Sequence, residues 1–173
     1  MMVKPAGQQL LLPAKSAFIW GTLVLAMLVN MLPWGRLPGA PDWLLMLLVF
    51  WTMRQPLQVG LTAAFFFGLT MDVHQTCLLG QHAIGYCVIS YLAILMHRRV
   101  LWFGYWGQAL QIAPLFLLGH VLDVLVRLAL GGQFPGLWVL LAPVLETLMW
   151  PLLSWLLLLP QMRAPDRDDS RPL

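Results

Sequence analysis

The sequence predicts an all-α integral membrane protein with six transmembrane helices. Three observations lead there. The 173 residues are 60% hydrophobic and 10% charged, with a mean hydropathy of +0.78, whereas a soluble domain carries about 25% charged residues. The apolar residues fall into six runs broken by proline, glycine or charge. The basic residues gather in alternate breaks. High hydrophobicity with little charge also excludes disorder. A span with its connection uses about 25 to 30 residues, so six spans leave no room for a separate soluble catalytic domain.

Residues 1–15 carry Lys4 and Lys15 and read as a cytoplasmic N-terminal segment. Residues 16–32 are apolar except for Asn30. A basic start before an apolar middle also describes a signal peptide. The following Pro33-Trp34-Gly35-Arg36 offers no small-residue cleavage site, so this run is expected to be a retained first span. Residues 33–42 hold Pro33, Gly35, Pro38, Gly39 and Pro41 and form a loop. Asp42 is placed to cap the next helix, residues 43–53. That helix is short for a span and needs its flanks or a thinned bilayer. Arg54-Gln55-Pro56 makes a tight turn before the third run, residues 57–71, which stops near Asp72. After a polar stretch, residues 72–76, the fourth run covers 78–96 and closes on His97-Arg98-Arg99. The fifth, residues 101–126, is the longest, with Pro114 inside and Arg127 at its end. Gly131-Gly132 and Pro135-Gly136 mark a loop, and the sixth run, residues 137–159, contains Pro143, Glu146 and Pro151. The transmembrane domain is thus residues 16–160, followed by a polar, disordered cytoplasmic tail, residues 161–173.

Charge placement sets the orientation. With a cytoplasmic N-terminus and six spans, the inside segments hold Lys4, Lys15, Arg54, Arg98, Arg99, Arg163, Arg167 and Arg171, and the outside loops only Arg36 and Arg127. That asymmetry obeys the positive-inside rule. Omitting the short second span would invert every later loop and place Arg98 and Arg99 outside. Both termini are therefore expected in the cytoplasm. Trp20, Trp34, Trp43, Trp102, Trp106, Trp138 and Trp155 fall mostly near run ends, as interfacial aromatics do.

Gly60, Ala64, Gly68 and Asp72 recur every four residues and share one helical face, the first three allowing a neighbouring backbone to come close. Gly80, Ala83, Cys87 and Ser90 answer from the fourth run. Together they predict a tight antiparallel hairpin, with Asp72 where the seam meets the outer surface. Two roles fit: helix packing alone, or a hold on a partner or ligand by Asp72 and the backbone around Gly80. In the fifth run His120, Asp123 and Arg127 can meet on one face, Asp123 pairing with Arg127. A satisfied ion pair and a proton relay or polar binding face are both compatible with that spacing. Glu146, about ten residues into the sixth run, is the most expensive charge in the chain and is expected to be protonated or bonded to a neighbouring helix, in a structural or a functional role.

Enzyme motifs are absent: no H-E-x-x-H, no G-x-S-x-G and no phosphate loop. Ser90 and Ser154 have no nucleophile motif around them. His74, His82 and Cys77 are too scattered to signal a metal site. Two cysteines, Cys77 and Cys87, cannot make a disulfide framework. There is no arginine ladder and no filter motif of a channel.

One stretch of about 35 residues is more specific. Phe50-Trp51-Thr-Met-Arg54-Gln-Pro56-Leu-Gln-Val-Gly60 is followed by Gly68-Leu-Thr-Met-Asp72, then Leu78-Leu79-Gly80-Gln81-His82-Ala83. This resembles the MreD family of rod-shape-determining proteins of Gram-negative bacteria. The family often has Gly where this chain has Thr76, and Leu where it has Ile84. The resemblance implies an inner-membrane, non-enzymatic component of the rod (elongasome) complex, without cofactor or nucleic-acid partner. It would maintain cell shape by coupling the actin-like filament MreB and the bitopic MreC to lateral peptidoglycan synthesis by a glycosyltransferase–transpeptidase pair. It implies a fold similar to the substrate-binding subunits of energy-coupling-factor transporters, and hence an alternative role as a small-molecule binding or transport subunit. Asp72, Gly80, Gln81 and His82 become the candidate partner or ligand contacts, Gly60, Ala64, Gly68 and Ala83 the packing seam, and His120, Asp123, Arg127 and Glu146 the intramembrane polar set.

Overall fold

The computed structural model describes residues 14–32, 39–76 and 79–162. Among these residues the regular structure is entirely helical: α1 (Ser16–Met31), α2 (Trp43–Arg54), α3 (Leu61–His74), α4 (Gln81–Val100), α5 (Tyr105–Ala129) and α6 (Leu141–Leu158). Short 3₁₀ turns, Leu137–Leu140 and Leu159–Gln161, flank α6. Of the expected disordered tail, Gln161 is instead held in the 3₁₀ turn and buried, while residues 163–173, the N-terminal segment to residue 13, Cys77 and the loop proline Pro33 lie outside the described residues.

Each apolar run yields one helix, with shifted boundaries. The third starts at Leu61 rather than 57, because Pro56-Leu57-Gln58 folds as a turn whose bonds run back to the Gln55 carbonyl: Gln58 N–H at 3.0 Å and Val59 N–H at 2.9 Å. Gly60 is consequently the N-cap residue of α3, ahead of the helical seam it was expected to begin. The fourth run starts later, at Gln81, behind Gly80, whose φ of +107° is a left-handed turn suited to glycine. The fifth starts at Tyr105, after a turn through Trp102 and Phe103. Asp42 caps α2 as the sequence indicates, accepting from Leu45 N–H at 2.9 Å.

The short α2 is the central pillar. Every residue from Leu44 to Met53 is buried, so a helix of 12 residues, about 18 Å long, is enclosed by longer ones. Around it Phe50 packs edge-on to Trp51 (5.0 Å between centroids) and against Trp150 (6.0 Å), which in turn meets Phe116 (5.8 Å). Trp51 Nε1–H donates to Thr22 Oγ1 of α1 at 2.9 Å, which satisfies the indole in an otherwise apolar core.

The outer surface is also apolar. Leu25, Phe66, Leu110, Leu148, Leu152 and Leu156 all project outward, a surface no water-exposed bundle would carry. Two stretches, Tyr105–Ala129 and Leu137–Gln161, are long and apolar enough to cross a membrane. The ends of all six helices meet around one cavity, which places α1, α3 and α5 antiparallel to α2, α4 and α6. The basic groups Lys15, Arg54, Arg98 and Arg99 belong to the opposite ends of α1, α2 and α4.

Candidate functional site

Two polar clusters close the cavity end. The first joins α3 to α4. Gly68 approaches the start of α4 so closely that a β-carbon there would lie 2.7 Å from the Ala83 nitrogen and overlap the Ala83 Cα. This contact, with buried Ala64 and Ala83, is the small-residue seam. One turn beyond it, Asp72 has no solvent exposure. Its Oδ2 accepts from Gly80 N–H at 2.8 Å and Ala83 N–H at 3.4 Å, and its Oδ1 accepts from His82 N–H at 2.7 Å. His82 Nδ1 lies 2.9 Å from the same Oδ1. Gly80 has no side chain to cap α4, so a carboxylate from the preceding helix does so, and the helix dipole favours the negative charge.

The second cluster ties the remaining helices together through Asp42. Its Oδ1 accepts from Asn30 Nδ2 of α1 at 2.6 Å, and its Oδ2 from the Tyr86 hydroxyl of α4 at 2.6 Å. The Asp42 backbone N–H donates to Glu146 Oε1 of α6 at 2.8 Å, and His120 Nε2 of α5 meets that same oxygen at 2.8 Å. Asn30 Oδ1 accepts in return from Trp43 N–H at 3.1 Å. Five helices thus converge within a few bonds. Glu146 is fully buried and finds partners on α5 and at the α2 cap, which answers the charge cost noted from sequence. Its Oε2 has no hydrogen-bond partner.

The expected pair of Asp123 with Arg127 does not form. Asp123 Oδ1 is taken by Gln81 Nε2 at 2.6 Å and lies 3.9 Å from His82 Nε2, because α4 starts beside it and a cross-helix amide outcompetes a flexible neighbour on its own helix. His120, expected on the same face, turns to Glu146 instead. Between the clusters lies a cavity of about 650 Å³, lined by Asn30, Asp42, Trp43, Gln81, His82, Tyr86, His120, Asp123 and Arg127 together with Val29, Leu141 and Leu145. Sequence reasoning brought Gln81, His82, His120, Asp123 and Arg127 to notice. It missed Asn30 and Tyr86 as members of a site and read Asp42 as a cap only. The sole signal for the first was a polar residue inside an apolar run. Ser90 and Ser154 are buried without hydrogen-bond partners and lie outside the cavity wall. No group of three or more His, Cys, Asp or Glu side chains among the described residues is arranged to hold a metal.

The fold and this end cluster define a class: among the described residues, a bundle of six helices with an apolar surface and a buried polar network around a cavity at one end. Comparison with known proteins narrows it. The family model described as rod shape-determining protein MreD matches residues 14–159. The chain belongs to the MreD family, whose members determine rod shape. It is 27% identical over 138 residues, 79% of this chain and 83% of the relative, to the rod shape-determining protein MreD of Haemophilus influenzae. No solved structure matches.

Proposed function

We propose that this protein is a non-catalytic inner-membrane component of the rod complex, with residues 16–160 crossing the bilayer six times and both terminal segments, 1–15 and 161–173, in the cytoplasm. It holds MreC and, through it, MreB and the glycosyltransferase–transpeptidase pair in one assembly, docking helix against helix within the lipid. Family membership is the observation that carries this reading. The collection of Lys15, Arg54, Arg98 and Arg99 at the end away from the cavity supports the orientation, since basic ends stay cytoplasmic. The cavity end then faces outward, with Asp72, Gly80, Gln81 and His82 near the surface a partner meets.

Depletion in a rod-shaped host is expected to round the cells and disperse lateral wall insertion, and MreC is expected to co-purify from detergent. Cells that stay rods with normal lateral insertion overturn the role. A reporter active only outside the membrane, fused to the C-terminal tail, is expected to stay silent, and a signal overturns the topology. The cavity also favours a second reading, a small-molecule binding or transport subunit similar to the substrate-binding components of energy-coupling-factor transporters. Ligand binding by the purified protein separates the two.

A further inference from the structure

We propose that the end cavity binds a zwitterionic amphiphile, a molecule carrying an ammonium and a phosphate or carboxylate on an apolar body. This names the ligand class for the second reading and rests on it, and it needs no rod-complex partner. The volume of about 650 Å³ is that of a small-molecule site, and its wall mixes apolar side chains with a few polar ones. Most of the polar groups are spent within the protein: Asp42 on Asn30, Leu45 and Tyr86, and Asp72 on the start of α4.

What remains is selective. Asp123 and Arg127 both line the cavity from α5, one helical turn apart. They make no ion pair with each other, because Gln81 holds Asp123 Oδ1. An anion and a cation held apart on one wall match an ammonium and an oxyanion borne by a single ligand, the oxyanion being suited to the guanidinium fork. Trp43 also lines this space, a residue whose indole attracts alkylammonium groups. His82 and His120 each have one ring nitrogen fixed by a fully buried carboxylate, at 2.9 Å from Asp72 and 2.8 Å from Glu146. That fixes ring orientation; the second nitrogen of His82 faces Asp123 at 3.9 Å, and the second nitrogen of His120 is left for other contacts. Ligand chemistry of this kind reaches the cavity either as a phospholipid headgroup or as a free zwitterion.

The test uses the full chain purified in detergent and three probes. Dihexanoylphosphatidylethanolamine carries both charges and tails, dihexanoylphosphatidylglycerol lacks the ammonium, and O-phosphoethanolamine lacks the tails. The expected result is a saturable rise of the thermal midpoint with the first and none with the second. Asp123→Asn and Arg127→Gln each weaken binding about tenfold, the loss of one charge-assisted bond. Arg127→Lys retains most of it. Binding of O-phosphoethanolamine as tight as that of the lipid assigns the site to a soluble zwitterion, and much weaker binding assigns it to a headgroup. The first result overturns the apolar body and keeps only the paired charges, and the second supports the proposal. An equal rise with phosphatidylglycerol overturns the zwitterion while leaving ligand binding in place. Wild-type binding by both charge-removing variants removes the site from this wall. No shift with any probe overturns ligand binding altogether.

Discussion

Asp72 and Glu146 are both carboxylates without solvent exposure, and they are used in opposite ways. Asp72 spends both oxygens: three backbone N–H groups and a histidine ring surround it, all from the first turn of α4. Glu146 spends one oxygen on two partners from two other helices and leaves the second without any. The α3–α4 corner is therefore a closed joint between neighbours in sequence. The α2–α5–α6 corner joins segments more than a hundred residues apart, Asp42 to Glu146, and keeps an unused acceptor. A saturated carboxylate holds the fold, whereas an unsaturated one retains chemistry that a ligand, a water or a proton can occupy.

The largest way to break that comparison is to open the closed joint. Gly68→Leu adds a side chain where even a β-carbon overlaps the Ala83 backbone, so the α3–α4 crossing must separate. The expected cost is about 3 kcal/mol, seen as a lowered thermal midpoint in detergent and reduced protein in membranes. An unchanged midpoint would show that the seam is not close-packed. Next comes Asp72→Ala, which leaves the amides of Gly80, His82 and Ala83 without their acceptor. The expected cost is about 2 kcal/mol, with Asp72→Asn intermediate because its carbonyl still accepts. A stable Asp72→Ala protein that fails to support rod shape would instead make Asp72 a contact group for a partner.

Glu146→Gln sharpens the contrast from the other side. The glutamine carbonyl can keep the bonds to Asp42 N–H and His120, and its amide occupies the place of an oxygen that has no partner to lose. The expected change in stability is below about 1 kcal/mol. A loss as large as that of Asp72→Ala would show that the second oxygen matters to the fold and would erase the distinction between the two corners.

Much of this arrangement is legible in the sequence, and the illegible parts have physical reasons. Hydropathy marks all six helices, and four-residue spacing marks the Gly68 seam, because both are local patterns. The start of α3 is misread because Leu57 is apolar, although it sits in a turn and is almost fully exposed. The length of α2 marks it as short for a span, but its enclosure, with every residue from Leu44 to Met53 buried, is a tertiary property that hydropathy does not carry. The Asp42 hub is invisible since its partners, Asn30, Tyr86 and Glu146, come from three separate segments, and no periodicity links residues across such distances. Arg127 is misassigned for the same reason: helical spacing offers it Asp123, and tertiary packing gives Asp123 to Gln81.

The smallest expected effect concerns the turn that leads out of the closed joint. Thr76 has a φ of +52°, the one non-glycine residue with positive φ among those described. A left-handed backbone costs an L-residue about 1–2 kcal/mol, and a β-branched side chain restricts it further. Among the described residues the Thr76 hydroxyl bonds to the adjacent Gln75 carbonyl at 2.7 Å, so little is lost with it. Thr76→Gly removes the steric cost but loosens the unfolded chain. The net expectation is a gain of about 0.5–1 kcal/mol, read as a raised thermal midpoint, with Thr76→Ala nearly neutral because its β-carbon remains. The direction follows from the joint itself: Asp72, four residues before Thr76, is anchored to Gly80 N–H at 2.8 Å. A lowered midpoint for Thr76→Gly would mean that threonine stiffens the turn by more than it strains it, and that the α3–α4 corner owes part of its rigidity to the loop as well as to its carboxylate.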